Sequence, residues 1–600
     1  MKRWRTKLAL LGGAAALGLA IPAIGQEAPE SLLPPGFGDP ETLPPPVEQP
    51  PAPPPGTPVV PPEMPVVQSP TLPMSEEELE ALEEELDLPE PIEIPDASRR
   101  PIDLVGPLGP REWGLGVGAF GDANGRYLST LMRRLDAPLP SRWTQILLRR
   151  ALLSRVPAPS FVHPVDWVAE RAWLLLRMGE ADGARMLTQA VDVDRFTSKM
   201  FAISVQTALA TADPAGLCPL IEPGRETSDE SVWLLGDAMC AALAGDANRA
   251  SELIDRARSR GRVGGIDLSL AEKVIGAGTN TRRAVTIEWE DVDEINSWRF
   301  GLASATGIEV PDRLMNLAGP HVRAWKARAP MLPIDQRVEA AQWAASLGVF
   351  SNASLVEMHS LIADTTDPSE IMESVGGRLR QTYVARTPEA RMEAMRGLWE
   401  DAETPVQRHA RHILTASAAA RMVPSEALAG DTEDLIASML TAGYDERAAR
   451  WGNIVGAMDD GEADGAWALL AVASERPAVD LGFGRIEAFT DRDDSEDGLR
   501  SKVLLAALAG LDRMGANDQS RLANALGVQL DAENAWTQAL ERAVRARQPG
   551  TVALLAGVGM QTGGWRGVPP EHLYRIVSAL RRVGLDYYAR MIAAEALARL

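Results

Sequence analysis

Three groups of residues in this chain have types and spacings that could do chemistry. Gly116-Val117-Gly118-Ala119-Phe120-Gly121 matches G-x-G-x-x-G, whose glycines let backbone approach a dinucleotide pyrophosphate at a helix N-terminus. That use needs a buried strand before the glycines and a βαβ unit around them. Pro107, Pro110 and Arg111 precede this run and helix-like sequence follows it, so it reads as an entry segment. His409 and His412 stand three apart on an expected helix after Glu400, Asp401 and Glu403, a spacing that can turn two imidazoles to one face for a metal. No carboxylate-bearing second helix is identifiable, so a polar helix surface is the expectation. Cys218 and Cys240 are the only two cysteines. Neither has a histidine close in sequence to activate it as a nucleophile. They are open to two uses, a disulfide or a pair of buried thiols packed as small hydrophobes. The sequence has no G-x-S-x-G, H-E-x-x-H or P-loop, so no catalytic residue, metal or cofactor is assigned.

The elements that must hold these groups are helices. From about Arg111 onward the chain is rich in Ala, Leu, Arg and Glu, with apolar residues at i, i+3, i+4 and i+7. Trp167 to Met178, Ser231 to Ala244, Gln336 to Ala345, Ser501 to Leu511 and Leu573 to Arg582 each run roughly three turns and stop at Gly, Pro or an Asp/Asn cluster. An internal repeat orders them. Gly179-Glu180-Ala181-Asp182-Gly183-Ala184 recurs identically as Gly461-Glu462-Ala463-Asp464-Gly465-Ala466. Related turns run from Gly245 to Ala250, Gly443 to Ala448, Gly515 to Ser520 and Gly584 to Ala589, with a degenerate one at Ala212-Asp213-Pro214. Positions 179, 212 and 245 are 33 apart. In each turn the Gly is expected to end one helix in a left-handed conformation, a nearby Asp or Asn to cap the next, and the small residue five on to let the two helices approach. In this frame Cys218 begins the second helix of one hairpin and Cys240 nears the end of the next first helix, ends that antiparallel neighbours bring together.

The pattern resembles the tetratricopeptide family, in which a leucine-rich first helix leads through a Gly-Asp/Glu-x-x-x-Ala turn into a second helix with an Ala seven further on. Ala257, Ala473 and Ala596 match that Ala, whereas Val191, Val455 and Gly527 replace it. The closing proline of the family repeat is missing, and 275–440 departs from the pattern. The resemblance implies an all-α, right-handed α-solenoid of antiparallel helical hairpins that binds a protein or peptide on a concave face. Superhelical hairpin bodies similar to this also belong to soluble lytic transglycosylases, which add a lysozyme-like domain. Here the last hundred residues continue the hairpin pattern, so action on glycan is not expected.

The N-terminal hundred residues bear on location. Lys2, Arg3, Arg5 and Lys7 precede an apolar run from Leu8 to Ile24, the layout of a secretory signal peptide over 1–25. Residues 26–98 hold 17 Asp and Glu, no Lys or Arg, and 21 of the 45 prolines. Proline removes backbone donors and like charges repel, so 26–100 is expected to be a disordered Pro/Glu-rich stalk. Within it, Ser75 to Leu86 reads as a short acidic helix with a leucine stripe. Beyond the stalk we expect helical-hairpin repeats over 101–280, an irregular joint over 281–335 that includes Val285–Trp289 as a strand or extended connector, and further repeats over 336–600. The acidic loop Asp491–Asp497 is expected to be a second joint.

The formal net charge of −23 disfavours nucleic acid and anionic lipid as partners. A membrane enters only if the leader is not cleaved. Six of the 60 basic residues are Lys, a bias read here as genomic rather than physical. Together these features point to an exported, non-enzymatic interaction scaffold or adaptor in the bacterial cell envelope, periplasmic or secreted. The alternatives are a peptidoglycan-associated module and a periplasmic carrier of an apolar ligand, which would need a large closed apolar cavity.

Overall fold

The computed structural model describes residues 95, 98–228, 230–259, 264–279 and 285–600. The expected leader and nearly all of the expected stalk, including Ser75 to Leu86, lie outside them. The described chain is all-α apart from one short antiparallel pair, β1 (Leu104–Val105) with β2 (Val156–Pro157). A first array runs through α1 (Gly125–Arg134), α2 (Arg142–Leu153), α3 (Pro164–Arg177), α4 (Ala181–Thr188), α5 (Ser198–Ala210), α6 (Cys218–Arg225), α7 (Ser231–Leu243), α8 (Ala247–Ser259), α9 (Gly265–Gly278), α10 (Ser297–Ala305) and α11 (Asp312–Leu317). The second opens with α12 (Pro320–Arg328), α13 (Ile334–Leu347), α14 (Asn352–Thr365), α15 (Val375–Val384), α16 (Pro388–Glu400), α17 (Pro405–Ala419) and α18 (Thr432–Thr441). It continues through α19 (Asp445–Ala449), α20 (Gly452–Val455), α21 (Asp460–Ala473), α22 (Phe483–Arg492), α23 (Leu499–Gly510), α24 (Ala516–Leu526), α25 (Ala535–Arg545), α26 (Pro549–Gly559), α27 (Pro570–Arg582) and α28 (Asp586–Ala598).

Neighbouring helices pack as hairpins, α3 on α4, α7 on α8, α12 on α13, α17 on α18 and α27 on α28. The turns at the repeated glycines share one geometry. Gly179 (φ +85°), Gly245 (+88°), Gly443 (+79°) and Gly584 (+83°) are left-handed. At the first of these, Gly179 N–H donates to Leu176 O and Glu180 N–H to Leu175 O, the paired bonds that close a helix end. Ala212 (φ +52°) and Asp512 (φ +60°) take the same conformation without a Gly. In the 515–520 turn the left-handed residue is therefore Asp512, and Gly515 starts α24 instead. Ala184, Ala250 and Ala589 are fully buried where the paired helices approach.

Gly461 departs from its expected turn. It lies inside the first turn of α21, after α20 has already stopped at Gly456. The acids Asp459 and Asp460 start the helix two residues earlier, where negative charge suits the N-terminal dipole, so the Gly has no helix to end. Ala466 keeps its packing role and is 1 % exposed.

Arginine acquires a structural use that composition alone did not suggest. Its fork reaches the free carbonyls at the C-termini of neighbouring helices. Arg171 donates to Leu152 O and Ser154 O at the end of α2, and Arg177 to Leu135 O and Met132 O at the end of α1. Arg513 does the same for α21 through Ala471 O and Ser474 O. These bonds bind one hairpin to the next.

The array is also closed end to end. The last hairpin does not cap one end: α28 packs against α2, α18, α21, α23 and α27, and α26 packs against α1 and α2. Residues 588–597 of α28 are all buried, which no solvent-facing cap could be. Within 281–335, residues 285–296 are irregular, Val285–Trp289 forms no strand, and α10, α11 and α12 follow. The Asp491–Asp497 loop is fixed by Asp493, which accepts from Ser495 N and from Ser501 N and Oγ at 2.6–3.0 Å.

Candidate functional site

The glycine run at 116–121 forms part of the closure. Ala119 O accepts a 2.7 Å bond from Gly550 N at the start of α26, and the Phe120 ring meets Trp167 edge-on at 5.2 Å. A side chain at position 550 would meet Phe120 at 2.9 Å, so Gly550 permits the close approach. The run is a clasp between the two ends of the fold.

His409 and His412 do share one face of α17, but that face is buried, in place of the expected polar surface. Both line a cavity of about 20 Å³, room for a single water, together with Arg142, Thr441, Glu595 and Arg599. Glu595 of α28 caps the N-terminus of α2. Its carboxylate accepts from Ser141 Oγ (2.8 Å), Arg142 N (2.9 Å) and Trp143 N (3.1 Å), where the helix dipole favours an anion. Arg599 closes the pair at 2.9 Å. Arg142 turns the other way, donating to Thr441 O (3.2 Å), Phe350 O (3.0 Å) and Ala345 O, so one guanidinium holds the C-termini of α13 and α18. Burial pulls its pKa down to about 10, partly offset by Glu595, and it stays cationic at neutral pH.

Burial, then the charges of Arg599 and Arg142, hold His409 neutral by pushing its pKa well below the usual histidine value, and its Nε2 has no hydrogen-bond partner. His412 Nε2 lies 3.0 Å from Asp434 Oδ1, which also accepts from Arg408 at 3.1 Å. Burial works against the Asp434 charge, yet those two bonds keep its carboxyl below the ordinary range. Two arginines beside a neutral imidazole make a poor seat for a cation. Among the described residues no group of three or more His, Cys, Asp or Glu is arranged to hold a metal. The cluster joins α2, α13, α17, α18 and α28, and its chemistry is that of a structural lock. Glu595 carried one sequence signal, a carboxylate inside the otherwise apolar run Met591–Leu597.

Cys218, the first residue of α6, and Cys240 of α7 are joined by a disulfide with Cα atoms 5.5 Å apart. It ties α6 to α7 across 22 residues. The residues after Cys218, Pro219 and Leu220, form one wall of a groove of about 680 Å³; α4, α5, the 189–196 loop, Gly216 and Arg100 complete it. Val193 and Phe196 are half-buried apolar residues of its wall, and Val191, Ala208 and Leu220 line it while almost fully buried. Ser204 lies in the same lining, with its hydroxyl buried and unpaired by any protein group. Arg185 at the rim is held by Asp213 and by Thr211 Oγ1. This volume falls in the range of ligand pockets, about 300–1,000 Å³. No sequence motif marked it, because its lining comes from several separate elements.

No helix among the described residues is long and apolar enough to cross a membrane. Neither protein-family models, nor curated proteins, nor solved structures yield a match to this chain.

Proposed function

We propose that this protein is an exported, non-enzymatic interaction scaffold or adaptor of the bacterial cell envelope that binds a protein or peptide on its helical array. The observation that carries this reading is the groove between α4, α5 and α6, a lined concavity that sets apolar side chains beside the polar groups of Gln189, Asp192 and Arg185. Such a surface recognises a chain that offers apolar side chains and backbone hydrogen-bonding groups together. The leader-like N-terminus supports export, and a disulfide beside the groove suits an oxidising compartment. The test is in-cell crosslinking from Val193, at the groove, followed by mass spectrometry. A defined envelope protein captured from Val193 and from a second probe at Pro219, and lost from the Pro219 probe when Val193→Asp is added, is the expected result. Recovery of abundant neighbours only, or muropeptide release from peptidoglycan by the purified protein, overturns the reading.

A further inference from the structure

The chain that leads into the folded body is fastened to the rim of this same groove. Arg99 Nη1 bonds Asp194 Oδ2 at 2.8 Å, Arg100 N donates to Asp192 Oδ2 at 2.9 Å, and the Arg100 guanidinium donates to Gln189 O. Asp192, Asp194, Gln189 and Arg100 itself all line the groove. The segment just upstream has an unusual composition for the region that precedes the body. Leu86-Asp87-Leu88-Pro89-Glu90-Pro91-Ile92-Glu93-Ile94-Pro95 places Leu86, Leu88, Ile92 and Ile94 at even positions, so an extended chain would present them all on one side. Pro89, Pro91 and Pro95 fall at odd positions and favour extended backbone. From Arg100 back to Ile92 is eight residues, a reach of about 26 Å at roughly 3.3 Å per residue. So short a tether gives a local concentration on the order of millimolar.

We propose that residues Leu86–Ile94 are an intramolecular occupant of the groove, binding it as an extended strap that a partner must displace. The apolar face would cover Val193 and Phe196, the half-buried apolar side chains of the lining. The charges at the rim are already matched, Asp192 and Asp194 by Arg100 and Arg99 and Asp213 by Arg185, so the apolar face rather than the acids gives the selectivity. This rests on the groove being a peptide site, and the two ideas fail separately.

The test uses the full chain with Val193→p-benzoylphenylalanine or Pro219→p-benzoylphenylalanine, both in the groove lining, photolysed after purification and mapped by mass spectrometry. We expect intramolecular crosslinks to 86–94, with yield falling at least tenfold in the Leu88→Ser, Ile92→Ser, Ile94→Ser variant. Mixing isotope-labelled and unlabelled chains separates the intramolecular product from one between two copies, and a between-copy product overturns the strap. Crosslinks from the purified protein that avoid 86–94, or that survive the triple substitution, also overturn it. If the same positions still capture a defined envelope protein in cells, the scaffold reading stands without the strap; capture of nothing in either setting ends both.

Discussion

Residues 179–184 and 461–466 carry the same six side chains, and their surroundings take them in different directions. In the first copy, apolar helix runs unbroken into Gly179, which adopts φ +85°, ends α3 and turns the chain into α4. In the second, the helix has already stopped, two aspartates have started a new one, and Gly461 sits inside α21. The ion pairs differ as well. Asp182 meets Arg328 at a half-exposed surface, whereas Asp464 holds both Arg485 and Arg492 with its side chain only 16 % exposed. What the copies share is the buried small residue, Ala184 at 0 % and Ala466 at 1 %. The hexapeptide therefore specifies a thin helix face for close packing, and the residues before it decide whether its glycine makes a turn.

That account makes the shared position the costliest to change. Ala184→Leu and Ala466→Leu each insert three heavy atoms where no space exists, and each should lower the urea unfolding free energy by about 3 kcal/mol, the upper end for overpacking. Similar losses at both positions sharpen the comparison. A harmless Ala466→Leu would break it, because the second copy would then have no packing role in common with the first.

Gly179→Ala should cost about 2 kcal/mol. A residue with Cβ pays roughly 1–2 kcal/mol in the left-handed region, and this Cβ would meet the Cβ of Ala324 at 2.8 Å. Ala324 belongs to α12, which packs on α13, so the substitution should also loosen α12 in hydrogen exchange. Unchanged exchange in α12 would mean the turn is not seated against it.

Acid offers a third distinction, since the first copy packs against a histidine and the second does not. His321 lies beside Gly179, and burial, aided by Arg177, brings its pKa down to about 4. Its folded pKa is depressed, so the unfolded chain binds the proton first. Stability is complete above about pH 6.5 and falls as pH drops towards 4, by about 3 kcal/mol for this one group. His359, also near 4, and His409 act in the same direction elsewhere. Exchange at 177–182, corrected for its intrinsic pH dependence, should rise over this window while 461–466 stays protected. His321→Leu should flatten the pH response of the first copy alone; equal responses at both copies would assign the effect to the carboxylates instead.

These contrasts also mark what local sequence can convey. The 3.6-residue period placed Ser231–Ala244 on α7 (Ser231–Leu243) and Leu573–Arg582 within α27 (Pro570–Arg582) because each helix buries one stripe against its neighbour. It placed His409 and His412 on one face for the same reason. It could not show that the face is covered, because the groups that cover it come from distant parts of the chain. The bond from Arg142 N to Glu595 spans 453 residues and leaves no periodicity behind. The groove was invisible on the same grounds, with walls from α4, α5, α6 and a loop. Gly461 is a different failure. The Asp459-Asp460 helix-start signal was in plain sight, and it outweighs an identical hexapeptide because a helix begins where its orphan N–H groups find negative charge, whatever glycine follows.

The smallest expected effect reverses sign, which makes it the most decisive. In a helix, Gly→Ala reduces the backbone freedom lost on folding and is favourable by up to about 1 kcal/mol, less in a first turn where fewer bonds constrain the chain. A Cβ at 461 would meet the Arg492 side chain at 3.7 Å, an ordinary contact. Gly461→Ala should therefore stabilise the protein by about 0.5 kcal/mol in urea denaturation, while the same substitution at Gly179 destabilises it. A loss of 1 kcal/mol or more at 461 would mean that the second copy also makes a left-handed turn, that the repeat is regular in geometry as well as in spelling, and that α21 starts three residues after Asp460.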